Sequence, residues 1–210
     1  MLERLTGYRN LGQVCGDSQR IFQEQPSQHA DGGSRIDGFF AHVAGFWHMG
    51  VFDIRPVISD IPGVVFKQAN LMSVDSAAAL SNGGKGYCDS LPCLNAIEYF
   101  GLGRYGDPVD PLGYRRGIEN LSKLLLSGGR RYHSTPIGSE RVEFNANWVF
   151  DPNNILGIAN AAGLRLDELT VLDQQGGHET VQRPSAEKLN APAKEHDRLG
   201  IFHFLKESGK

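Results

Sequence analysis

Between residues 29 and 163 the chain alternates short apolar β-type runs with stretches of helical spacing, and this limits the fold more than any other feature. HADGGS (29–34) reads as a strand end breaking into a glycine turn, and DGFFAHVAGF (37–46) spaces Phe39, Phe40, Val43 and Phe46 as a helix does. MGVFDI (49–54) is a strand ending at Asp53 and stopped by Pro56, GVVFKQANL (63–71) a further strand, and SVDSAAAL a short helix. YCDSLPCL (87–94) continues the strand series. GYRRGIENLSKLLLSGG (113–129) is the clearest helix, with Tyr114, Ile118, Leu121 and Leu125 on one face and Gly128–Gly129 as its stop. RRYHSTPIG (130–138) is a strand running into a loop. DPNNILGIANAAG (151–163) is a helix with Asp151 as N-cap, Pro152 at its first position and Gly163 at its end. Such alternation predicts a parallel sheet with helices on both faces. LRLDELTVLD (164–173) and GIFHFLK (200–206) alternate as two strands with no helical pattern between them, so they are expected to pair antiparallel. The polar segment between them shows neither period. The fold class expected is therefore α/β, a Rossmann-like, mostly parallel sheet with an antiparallel last strand. Pro92 sits inside an expected central strand, where it removes a ladder hydrogen bond and predicts a bulge or a shifted boundary.

A chain of 210 residues with 40% hydrophobic content can bury one substantial core. We expect a polar lead-in over residues 1–28, with a helical turn or two, followed by one domain over 29–210. Twenty-one basic against 24 acidic residues give a net charge of -3, which offers no electrostatic case for nucleic acid or an anionic membrane surface. No apolar run reaches the ~18–20 residues of a membrane span, and the N-terminus lacks the apolar stretch of a signal peptide. Cys15, Cys88 and Cys93 read as free buried thiols of a reducing, cytoplasmic compartment. The seven histidines show no metal spacing, and no metal is expected; His133 alternates within its strand and is expected to be packed or hydrogen-bonded. Nothing in the pattern fixes an oligomeric state.

In open α/β sheets ligands bind beyond the carboxyl ends of the strands, near the switch point. The first strand ends in Asp31-Gly32-Gly33-Ser34-Arg35, where glycine lets a backbone turn approach a ligand closely. Twenty residues past Gly33 comes Asp53, a carboxylate placed to accept hydrogen bonds from both ribose hydroxyls of a nucleoside. The alternative is a structural turn plus a capping aspartate. Asn70, at the end of the third strand, is a candidate contact for an adenine amino group. Arg35 suits a carboxylate or phosphate. Cofactor-binding candidates are thus Asp31, Gly33, Ser34, Arg35, Asp53 and Asn70.

The stretch EYFGLGRYGDPVDP (98–111) follows the fourth strand. Gly101, Gly103 and Gly106 permit tight or left-handed backbone, Pro108 and Pro111 stiffen the turn, and Arg104, Tyr105 and Asp107 carry groups for recognition. Two main readings stand: a substrate-recognition loop beside the cofactor, or a long connection fixed by an Arg104–Asp107 strut; a metal-binding pair of Asp107 and Asp110 lacks a histidine or third carboxylate to complete it. Tyr99, Arg104, Tyr105 and Asn145 are the candidate substrate contacts. Glu98 and Asp107 are the candidate bases where the acceptor is a hydroxyl.

The blocks DGGSRIDG, FDIRP, NAIEYFGLGRYGDPVDP, LLSGGRRYHSTPIG and RVEFNANWVF resemble, in this order and across roughly residues 29–205, a domain-of-unknown-function family similar to class I S-adenosylmethionine-dependent methyltransferases. That resemblance implies S-adenosylmethionine as cofactor, in a cleft formed by the ends of strands one, two and four. It implies methyl transfer, and the polar Arg, Asp, Tyr and Asn side chains of the loops suit a small or carbohydrate-like acceptor, hydroxylated or anionic. Two other classes stay open: a non-catalytic module that keeps this fold and binds a partner through its GLGRYGDP loop, or an enzyme using a nucleotide-sugar or dinucleotide, which Arg35 would suit.

Overall fold

The computed structural model describes residues 16–33, 43–57, 60–81, 83–173, 175 and 177–208. Helix α1 covers 16–24, followed by strands β1 (His29–Gly32), β2 (Met49–Asp53) and β3 (Val64–Gln68), then α2 (Val74–Leu80) and β4 (Cys88–Leu94). A 3-10 turn, Ile97–Tyr99, leads through the loop 100–111 to α3 (Gly113–Leu124) and β5 (Leu125–Ile137). The short strands β6 (Arg141–Val142) and β7 (Trp148–Val149) form a separate hairpin. The chain ends with α4 (Pro152–Ala161), β8 (Leu164–Leu172), β9 (His178–Gln182), α5 (Ala186–Asn190) and β10 (Arg198–Lys206).

The main sheet has the order β3-β2-β1-β4-β5-β10-β8-β9. Strands β1 to β5 pair in parallel, and β10 runs antiparallel to both β5 and β8. The order reverses between β1 and β4, which makes the C-terminal ends of these two strands the switch point. One face carries α2, α3 and α4: Leu80, Ile118, Leu121, Leu124, Ile155 and Ile158 bury against Phe52, Leu91, Phe202 and Phe204. Gly32 lets α3 approach closely here: a Cβ at that position would stand 2.6 Å from the Leu121 side chain, which would have to shift. The other face packs Ile21 of α1 and Val43 on Met49, Val51, Leu94 and Tyr132.

Several expectations are corrected. The stretch 113–129 is not one helix: α3 stops at Leu124, and Leu125 opens β5, with Gly128 (φ 79°) inside the strand. The run Leu124-Leu125-Leu126 is apolar in either period, and pairing with Cys88 decides for strand. Residues 16–24 are more than a lead-in. Ile21 is fully buried, Arg20 pairs with Glu168, and Asp17 Oδ1 stands 3.0 Å from His203 Nε2. The polar segment after β8, which shows neither period in sequence, carries β9 and α5. Pro92 forces no bulge at its own position; it stays in register with Tyr132 of β5, and the irregularity falls between Cys88 and Ser90. On its other side β4 meets β1 at the single pair His29↔Ser90. The helix expected over 37–46 lies largely outside the described residues, as do Cys15, Ser34 and Arg35. The caps read from sequence form as expected around α4: Asp151 accepts from the Asn153 N–H at 2.8 Å, and Gly163 takes φ 77°.

Candidate functional site

The ends of β1, β2 and β4 converge at the switch point. After β1 the chain turns at Gly33, in left-handed backbone (φ 78°), with its N–H donating to the Phe52 carbonyl at 2.8 Å. A Cβ there would stand 3.5 Å from Ala96 and 3.7 Å from the Phe100 ring, so the turn lies directly beside the start of the loop 100–111. Asp31, fully buried, precedes it.

Asp53 ends β2, 5% exposed. Its Oδ1 accepts from the Arg55 backbone N–H at 2.7 Å and from Arg55 Nε at 2.9 Å, and its Oδ2 from Arg55 Nη2 at 2.5 Å. The hydrogen bond to Asp53 raises the Arg55 guanidinium above its ordinary value, although burial opposes this; Tyr105 and Asp31 add to the rise. Asn70 stands after β3 with its side-chain oxygen accepting from the Met72 N–H at 3.0 Å, an Asx turn leading into α2.

The loop 100–111 is closed by a bridge between Leu102 and Val109 and by the Asp107 carboxylate. Asp107 Oδ2 accepts from the N–H groups of Gly101 (3.0 Å) and Gly103 (3.2 Å), and Oδ1 from that of Tyr105 (3.1 Å). That corrects one expectation: the brace of the loop is Asp107 with its own backbone rather than an Arg104–Asp107 pair, so both oxygens of this candidate base are engaged within the loop. Arg104 instead donates to the Ala146 carbonyl and lies over the Tyr99 ring, 5.2 Å from its centroid. Tyr99 meets Tyr105 edge-on at 5.8 Å, and the Arg55 guanidinium sits 4.9 Å from the Tyr105 centroid. A continuous file of side chains thus runs Asp53, Arg55, Tyr105, Tyr99, Arg104 and on to the β6–β7 hairpin. Asn145 lies exposed at the tip of that hairpin, where its φ of 52° serves the turn.

Glu98 is 2% exposed in the turn after β4, and its Oε2 has no hydrogen-bond partner among the described residues. Burial pushes its carboxyl up to about 8, against a smaller lowering by a backbone hydrogen bond. The side chain therefore holds its proton at neutral pH. Because the folded state binds a proton that the unfolded state releases above about 4.5, stability falls as pH rises from there to about 8. Glu98→Gln is expected to remove that slope. In thermal melts the variant should match the parent below pH 4.5 and exceed it by several degrees at pH 8.5; equal melting at both pH values would contradict a buried, protonated Glu98.

Two residues of the site were not singled out by sequence. Arg55 was hidden because an arginine two positions after a strand end is commonplace. Asn95 closes β4 with φ 50°, its N–H shared between the Ser134 carbonyl (3.1 Å) and Oγ (3.0 Å). Asparagine tolerates left-handed backbone, and that is the signal available at such a position.

Residues 67–157 match a family model described as "Caenorhabditis protein of unknown function, DUF268". No curated protein matches the chain. Among solved structures, an O-methyltransferase family protein from Burkholderia thailandensis is 15% identical with a TM-score of 0.56; the match covers 95% of this chain but 57% of that one. The N-methyltransferase NodS from Bradyrhizobium japonicum, in complex with S-adenosyl-l-homocysteine, is 12% identical (TM-score 0.54), with 92% of this chain and 85% of that one covered. The 1,6-didemethyltoxoflavin-N1-methyltransferase of Burkholderia thailandensis, with 1,6-didemethyltoxoflavin and S-adenosylhomocysteine bound, is 13% identical (TM-score 0.56; 99% and 85% covered). At such identities the likeness establishes the fold: a class I methyltransferase sheet with antiparallel strands at one end.

Proposed function

We propose that the protein binds S-adenosylmethionine at the switch point and transfers its methyl group to a small polar acceptor. The observation that carries this is the pairing of the Gly33 turn with the buried Asp53 carboxylate at the ends of adjacent strands, in a sheet whose structural relatives hold S-adenosylhomocysteine. The residues suit the cofactor. Asp53 would accept from ribose hydroxyls, Gly33 presents backbone without a Cβ, and Asn70 stands at the end of the next strand. The cofactor supplies an electrophilic methyl group on a sulfonium. The chain contributes placement, and holding acceptor and methyl in line is worth several orders of magnitude in rate.

Tyr99, Tyr105 and Arg104 would wall the acceptor side, with the hairpin of Asn145 beyond them. This suits a hydroxylated, carbohydrate-like or anionic compound. For a hydroxyl acceptor, Glu98 is the group to take the proton, and a carboxyl near 8 is matched to that role at mildly alkaline pH. The rival reading, a binding module that keeps the fold without catalysis, is favoured by one observation: Arg55 already engages the Asp53 carboxylate at both oxygens.

Calorimetric titration with S-adenosylhomocysteine tests the cofactor assignment. Binding in the micromolar range is expected, and a ligand held only by the folded state adds about 2.7 kcal/mol at a hundredfold excess over its dissociation constant. No heat and no melting shift at millimolar ligand would remove the methyltransferase reading and leave the binding module.

A further inference from the structure

The Asp53 carboxylate and Arg55 pose a counting problem. A carboxylate offers roughly four lone-pair sites, and Arg55 fills three of them through its backbone N–H, Nε and Nη2. A vicinal diol needs two. It cannot be bound bidentately while both guanidinium bonds persist. Steric access gives the same answer: the Asp53 side chain is 6% exposed and that of Arg55 38%, so the guanidinium is the more open partner of the pair.

We propose that Arg55 is an internal competitor for the ligand's ribose diol, and that its displacement from Asp53 releases the loop 100–111. The inference rests on the cofactor reading above for the identity of the displacing group, but the linkage itself is present in the free protein. Arg55 touches the loop through the Tyr105 face; Tyr105 leans on Tyr99; Arg104 covers the far side of Tyr99 and bonds the hairpin at Ala146. Moving the guanidinium away from Asp53 and out from under the Tyr105 ring breaks the file where it passes from the end of β2 to the loop. The rest of the loop keeps its own brace, the Asp107 carboxylate on Gly101, Gly103 and Tyr105, so the loop shifts as a unit about its Gly101 end. Cofactor binding would then open the wall on the acceptor side, and the two ligands would enter in a fixed order. A released Arg55 also places an unpaired cation beside the cleft, suited to an acceptor bearing a carboxylate or phosphate.

The test compares the parent protein with Arg55→Ala and Arg55→Lys by calorimetry with S-adenosylhomocysteine and by amide hydrogen exchange over residues 99–111. Removing a competitor should tighten binding: Arg55→Ala is expected to bind at least threefold more tightly than the parent, with Arg55→Lys, which lacks the planar fork, in between. In the absence of ligand, Arg55→Ala should raise exchange across 102–106 to the level that the parent reaches only when the ligand is bound. Unchanged or weaker binding by Arg55→Ala would overturn the competitor role. Unchanged loop exchange in the ligand-free variant would overturn the linkage. Failure of the cofactor reading looks different, because then none of the three proteins binds while the loop comparison still reads out.

Discussion

Asp53→Ala is expected to weaken S-adenosylhomocysteine by about 10- to 150-fold in calorimetry, from the ~1.5–3 kcal/mol carried by hydrogen bonds to a charged acceptor. The fold should tolerate the change. Asp53 loses a pair whose partner side chain is 38% exposed, and ion pairs of that kind are worth roughly 0–1 kcal/mol. A melting temperature within a few degrees of the parent therefore accompanies the loss of affinity. The effect should be larger when Arg55 is already alanine, because the parent carboxylate must first give up its guanidinium. A double-mutant cycle over Asp53 and Arg55 measures that coupling directly. Equal ligand affinity in parent and Asp53→Ala would show that β2 does not hold the ribose.

The second large effect is expected at Gly101. Its φ is 81°, and a Cβ would stand 2.0 Å from the Asp110 carbonyl oxygen, which is backbone and cannot swing away. Left-handed backbone costs an L-residue about 1–2 kcal/mol, and overpacking adds roughly 1–3 kcal/mol. Gly101→Ala should thus lower stability by about 2–5 kcal/mol and disturb the Gly101 N–H bond to Asp107. Gly106→Ala is the comparison, since nothing lies within 4 Å of a Cβ there and the backbone penalty stands alone (φ 85°). Chemical denaturation that ranks the two variants equally would contradict the packed geometry at Gly101.

The sheet was legible wherever punctuation is local. Gly33, Asp53, Asp151 with Pro152, and Gly163 each mark an element's end by backbone chemistry that a neighbour cannot reverse. Elements settled by distant partners were not. The boundary at Leu124 depends on Leu125 pairing with Cys88, which lies far off in the sequence. Strand β9 is a polar, exposed edge strand, so HETVQ carries no alternation to read. Its place is fixed by β8, down to Thr170 facing Thr180. Sequence spacing put Gly33 and Asp53 at the ends of the first two strands, which is where the structure has them. It could not foresee that Arg55 would turn back on Asp53, or that Asp107 would bind its own loop. Both outcomes rest on side-chain direction, which composition does not encode.

Pro92 keeps its place opposite Tyr132 of β5, while β1 and β4 pair at His29 and Ser90. Around that pair the two strands are fastened at their entry end: the Asp89 N–H donates to the Gln28 carbonyl at 3.1 Å, and the Asp89 carboxylate accepts from the N–H groups of Ser27 and Gln28 at 2.8 and 2.9 Å. The switch point lies at the opposite, C-terminal end of the same two strands. A molecule bound there, from Gly33 to Asn95, would act as a second clasp, fastening by its own hydrogen bonds the end of the pair that the Asp89 knot does not reach.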